Sequence, residues 1–126
     1  MKADEILTRG ADHIRDRAAT RDMPEGERSM KRCVEAFNAQ EGTSLTEAQG
    51  WRFMIQLKYA RATAGKFNID DYEDMSAYSA LAAECEANEN EQRQEMQIFN
   101  ARMVLRAKDM QDRQDARRQV SADLMP

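Results

Sequence analysis

The sequence predicts an all-α protein, a compact bundle of about four helices followed by a long, charged C-terminal helix. Three observations carry this. Proline occurs only at positions 24 and 126, so little interrupts a helical backbone. β-Branched residues are sparse, while Ala, Glu, Gln, Arg and Met, all good helix formers, abound. Apolar residues recur three and four positions apart, and no run alternates as a half-buried strand would.

Taken in order, Leu7, Ala11, Ile14 and Ala18 give a first amphipathic helix that stops before the breaker DMPEGE. Met30, Cys33, Val34 and Phe37 form the stripe of a second, closed by Gly42. Ser44 with Glu47, or Thr46 with Gln49, supplies a capping box for a third helix, whose stripe is Phe53, Leu57, Ala60 and Ala64 and which Gly65 ends. Asp70 as N-cap with Glu73 three residues on opens a fourth, with Met75, Tyr78, Ala82 and Cys85 on one face. Short connections between these four suggest a bundle core over residues 1–86. Residues 87–126 are rich in Glu, Gln and Arg and read as one helical extension, part of the same unit or an arm for a partner. Its thin apolar stripe is Met96, Phe99, Met103 and Met110.

Composition excludes several classes. A chain of 126 residues with 41% hydrophobic content supports one modest core. No stretch is long and apolar enough to cross a membrane, and MKADEILTRG lacks the apolar run of a secretory signal, so a cytoplasmic protein is expected. A net charge of −4 argues against direct nucleic-acid binding. Cys33 and Cys85 lie far apart without a CxxC spacing and read as core thiols, and His13, the lone histidine, reads as surface or partly packed. Any metal would therefore be a hard cation held by carboxylates. No nucleophile with a local base and no glycine-rich phosphate loop is present, so no catalytic residue is assigned.

The stretch from Trp51 to Tyr78 carries the chemistry. Lys58 and Arg61, three apart on the third helix, can converge on one anion. Asp71, Asp74 and Tyr78 fall at i, i+3 and i+7 on the fourth, in line with Ala82 and Cys85, so both carboxylates point inward. Buried carboxylates need a compensating cation, and either Lys58 with Arg61 or a Mg²⁺ ion answers that need. Acids, cations and a helix N-terminus together suit a nucleoside phosphate. The bland explanation is as strong: first-turn acids cap a helix, and a cross-helix salt bridge from Asp71 or Asp74 to Lys58 or Arg61 accounts for the rest. Glu27 and Glu35 are further acids that can serve as ligands, though solvated surface acids are the commoner case. Trp51 and Asn38 can stack on and hydrogen-bond a base, with Tyr78 alongside.

The order R..DMPEGERSM, AFNAQEGTSLT, WRFMIQLKYAR and DDYEDMSAYSAL resembles a family of small phage and prophage proteins. These are similar to the MazG-like nucleotide pyrophosphatase superfamily and to phage nucleotide-modification-associated domains. The resemblance spans about residues 17–85. It implies an antiparallel bundle, dimeric or tetrameric, with an acidic Mg²⁺ site for a nucleoside triphosphate, in the cytoplasm of a host cell if phage-encoded. It also implies that Lys58 and Arg61 hold phosphates and that Asp70 and Asp74 are the paired aspartates of the motif, with Asp71 the geometric alternative and Glu27 a looser match. The ExxE pair of active MazG-like enzymes does not occur before Trp51, which leaves metal-assisted pyrophosphate release short of ligands.

Two functions follow. One is a nucleotide-binding protein, extending to Mg²⁺-dependent pyrophosphohydrolysis. The other is a non-catalytic phage accessory protein that docks a host or phage protein through the C-terminal helix, where residues 102–118 carry six basic and three acidic side chains.

Overall fold

The computed structural model describes residues 1–21 and 29–126, with the side chain of Arg21 left out. The breaker DMPEGE, and Glu27 within it, lie outside the described residues. The described residues form four helices and no strand: α1 (Ala3–Arg21), α2 (Ser29–Glu41), α3 (Glu47–Ala64) and α4 (Ile69–Asp123). None is long and apolar enough to cross a membrane. The chain divides into two compact units, Met1–Ala87 and Asn88–Pro126.

Within the first unit the helix ends follow from local chemistry. Gly42 leaves α2 at φ +67°, a conformation that L side chains avoid. Asn38 then clamps the turn: its Nδ2 donates to the Leu45 carbonyl at 2.9 Å, and its Oδ1 accepts from Leu45 N at 2.9 Å and Thr43 Oγ1 at 2.7 Å. Thr46, rather than Ser44, caps α3. Its hydroxyl accepts from Gln49 N at 3.2 Å while the Gln49 side chain accepts from Thr46 N at 2.9 Å. α4 begins two residues earlier than Asp70 as N-cap predicts, because the Asn68 side chain accepts from Asp70 N at 3.3 Å and takes the capping role. Asp70 and Asp71 then sit in the first turn, and Glu73 is released for another purpose.

The core is small: Val34, Ala48, Trp51, Ala77, Tyr78, Leu81 and Ala82, with Ile14, Met30, Met54, Ile55 and Cys85 packed partly against it. α2 meets α3 at Gly50, where an added Cβ would lie 2.5 Å from Met30 Sδ and 2.8 Å from Val34 Cγ2. α1 meets α4 at Gly10, whose missing side chain makes room for Ser76 and for the Glu73 carbonyl.

Several predicted stripes are out of phase with this core. On α3 Ala48 and Trp51 are buried and Met54, Ile55, Lys58 and the predicted Leu57 are half-buried, whereas Phe53 is 72% exposed and Ala60 and Ala64 are also exposed. Leu7 and Phe37 are exposed as well, and so is Cys33, which is therefore no core thiol. On α4 the predicted face holds: Tyr78 and Ala82 are buried, Met75 and Cys85 half-buried. The second unit is a single helical stretch whose residues are exposed except for half-buried Glu89.

Candidate functional site

Three acidic side chains are buried at the start of α4, namely Asp71, Glu73 and Asp74. Their burial is an electrostatic cost of several kcal/mol per ion unless cations meet them. Cations arrive from two sides. From α3, Lys58 Nζ lies 2.6 Å from Asp74 Oδ2, 3.4 Å from Asp70 Oδ2 and 3.6 Å from Asp71 Oδ1. From α1, Arg17 donates to Asp74 Oδ1 at 2.9 Å, Arg9 donates to Glu73 Oε1 at 3.2 Å, and His13 Nε2 lies 3.1 Å from Glu73 Oε2. Asp74 is the keystone, since its two oxygens tie α1 and α3 to α4.

Four carboxylates thus face three permanent cations and one imidazole, and the cluster comes close to neutrality. Burial opposes the Lys58 charge, but the hydrogen bonds and negative charges of Asp74 and Asp70 outweigh it and raise the ammonium above its ordinary pKa of 10.5. Lys58 is therefore charged across the physiological range.

Beside this cluster opens a pocket of about 560 Å³ lined by Asp16, Arg17, Thr20, Ser29, Met30, Cys33, Trp51, Met54 and Tyr78. Trp51 and Tyr78 stack, with ring centroids 5.4 Å apart and planes 24° from parallel, and the Arg17 guanidinium carbon sits 5.5 Å from the Tyr78 centroid. Arg17 therefore joins the two halves of the site, touching both Asp74 and the aromatic floor. The Trp51 indole N–H is buried and has no acceptor among the described residues, an arrangement that costs roughly 1–3 kcal/mol.

The predicted residues separate on this geometry. Lys58, Asp70, Asp71 and Asp74 come together, and Trp51 and Tyr78 come together. Arg61 is exposed in the last turn of α3 and takes no part in the ion pairs around Lys58. Asn38 is committed to the α2–α3 turn, with both polar atoms of its side chain used there. Glu35 is exposed. Glu27 lies outside the described residues.

Sequence reasoning missed Arg9, His13, Arg17 and Glu73. The signal was present: Arg9, His13 and Arg17 recur every four residues, so one face of α1 is a basic stripe. Read alone, such a stripe looks like a solvated surface.

Asp70, Asp71 and Asp74 are donors of the type a hard cation takes, but what they surround is the Lys58 ammonium. Among the described residues, the group that brings one ligand atom each within 4.8 Å of one another is His13, Asp70 and Glu73, and there Glu73 already faces Arg9.

Residues 5–86 match the model of a family described as Domain of unknown function (DUF6378). The chain belongs to this family. No curated protein and no solved structure matches it. The family match takes in α1, α2, α3 and the start of α4, and so includes every residue of the ion-pair cluster and the lining of the pocket. It stops before the second unit.

Proposed function

We propose that this protein binds a nucleoside phosphate in the pocket floored by Trp51 and Tyr78, with the phosphate directed toward Arg17 and Lys58. The observation that carries this reading is a pocket whose lining joins the stacked Trp51 and Tyr78 rings to the Arg17 guanidinium. A nucleoside phosphate offers a π-face for the aromatic lining and an anion for the guanidinium. The volume of about 560 Å³ falls in the range of small-molecule sites. The resemblance of the LKYAR and DDYEDMSAY segments to MazG-like proteins supports the same ligand class, and with it an antiparallel bundle of phage origin.

Binding is favoured over hydrolysis. Lys58 pairs with all three aspartates, and the ExxE pair that active MazG-like enzymes carry on an earlier helix does not occur before Trp51. If a bound phosphate draws Lys58 away, Asp70, Asp71 and Asp74 are the carboxylates that would hold Mg²⁺, which supplies charge neutralisation at phosphate oxygens there. The work of orienting the ligand falls to Arg17, Trp51 and Tyr78 in either case.

Trp51 is the only tryptophan in the chain, so its fluorescence reports directly on the site. Titration with nucleoside mono-, di- and triphosphates, with and without Mg²⁺, is expected to change that emission with one of them, alongside an upward shift in thermal unfolding. A flat emission and an unchanged midpoint across the whole panel up to millimolar ligand would sink the proposal.

A further inference from the structure

We infer that residues 88–107 of α4 form an antiparallel pair with the same segment of a second copy of this chain. The second unit is a helical stretch that, among the described residues, exposes Met96, Phe99 and Met103 at 59%, 58% and 48%. These three recur at spacings of three and four, as the seam of a two-stranded coil does, with Ile98, Val104 and Leu105 exposed beside them. Extended N-terminally, the same seam runs through Gln92 and half-buried Glu89, and C-terminally through Arg106.

Charge selects the occupant and its direction. Residues 88–95 carry Glu89, Glu91 and Glu95 against Arg93 alone, whereas residues 100–107 carry Arg102 and Arg106 and no acid. A parallel pair would set acid on acid and base on base. An antiparallel pair sets each acidic half on the basic half of the other copy. The register that places Met96 against the second copy's Phe99 sets Met103 against Gln92 and Glu89 against Arg106, and it puts Glu95 beside Arg102 on the flank. No like charges face one another in that register, and the two central layers are apolar. The overlap is roughly 30 Å long with few apolar side chains, so the pair is weak, dependent on concentration and loosened by salt.

The test uses the full chain. Sedimentation equilibrium from low to high micromolar protein is expected to show the mass rising from 14.5 kDa toward twice that value. Phe99→Asp, at an exposed position, should hold the protein monomeric with an unchanged circular dichroism spectrum. Glu95→Arg should weaken the pair, and adding Arg102→Glu should restore it. With Cys33 and Cys85 replaced by serine, mixing a Glu89→Cys chain with an Arg106→Cys chain should give the mixed disulfide in preference to either homodimer. A constant monomer mass overturns the inference, and so does a dimer that survives Phe99→Asp or one that cross-links Glu89→Cys to itself. Phe99→Asp, Glu95→Arg and Arg102→Glu lie outside the first unit, so nucleotide binding is judged separately in those variants through Trp51 emission, while the background without Cys33, which lines the pocket, serves the cross-linking alone.

Discussion

The two ends of α4 use the same residue types to opposite effect. Between Ile69 and Ala87 the helix buries three acids, and each meets a cation or imidazole from α1 or α3. Between Asn88 and Asp123 it carries charges of both signs that remain in water and pair along their own helix, as Glu89 does with Arg93 at 3.4 Å and Asp109 with Arg113 at 3.0 Å. The difference teaches that a charge count says little about what holds a helix. A buried pair offsets a desolvation cost that becomes fully unfavourable once one partner is removed, while an exposed pair competes with water and gains little.

The sharpest way to break this contrast is to remove Lys58. Lys58→Met leaves Asp71 and Asp74 buried against one fewer cation, and a loss of about 3–5 kcal/mol in urea-induced unfolding is expected. The loss should shrink as pH falls through the carboxylate range. A buried, unpaired carboxylate has its folded-state pKa raised above the unfolded value, so its penalty is present at high pH and disappears once it is protonated. A deficit that stays the same down to pH 4 would place the effect in packing instead of charge.

Gly10→Ala is the next largest. The new Cβ would run into Ser76 Oγ and lie 3.1 Å from the Glu73 carbonyl oxygen, and backbone on one side leaves little room to give. Overpacking of this kind costs about 1–3 kcal/mol. Because Gly10 lies one residue from Arg9 and three from His13, the variant should also loosen the Glu73 pairing. A thermal midpoint equal to the wild type would mean that α1 shifts freely on α4.

A smaller effect sharpens the comparison at alkaline pH. The Lys58 pKa is raised in the folded state, so its stabilisation is complete below the unfolded value near 10.5 and is lost as pH climbs through the folded value. The thermal midpoint should fall more steeply above pH 10 in the wild type than in Lys58→Arg, whose guanidinium stays charged. Parallel curves would remove Lys58 from the account.

What the sequence made legible follows the same division. The inward face of α4 was readable down to Asp71 and Asp74, because those acids stand in register with Tyr78 and Ala82 and a periodic pattern holds whatever the side chain's polarity. α3 was misphased for the complementary reason. Phe53, Ala60 and Ala64 attract the eye to an apolar stripe, while the inward face ends in a half-buried lysine, and a hydrophobic periodicity has no way to mark an inward cation. The basic stripe of α1 was passed over because its partners, sixty residues away in sequence, give it meaning only in three dimensions. Asn38 misled differently: a polar side chain near a helix end was read as a ligand contact, and the turn it caps consumes both of its polar atoms. The α3 and α4 parts of the candidate site were therefore visible, Glu73 apart, and the α1 part was not.

The smallest prediction tests the other end of the comparison. Arg113→Ala removes the partner of Asp109 in a pair whose side chains are 73% and 59% exposed. Alanine is the better helix former, and the exposed i,i+4 pair is worth only a few tenths of a kcal/mol, so the two changes nearly cancel and stability is expected to stay within about 0.5 kcal/mol of the wild type. Hydrogen exchange gives the companion measurement. Amides of residues 71–82 should exchange only through global opening, since their helix is anchored by the Lys58 and Arg17 pairs, whereas those of residues 110–123 should exchange through local fraying, orders of magnitude faster. The two rates on one continuous helix test whether burial of charge, rather than helical propensity, divides it. Equal protection at both ends would mean that the second unit is held by contacts its exposure in the single chain does not reveal, and the pairing of residues 88–107 would be the first place to look for them.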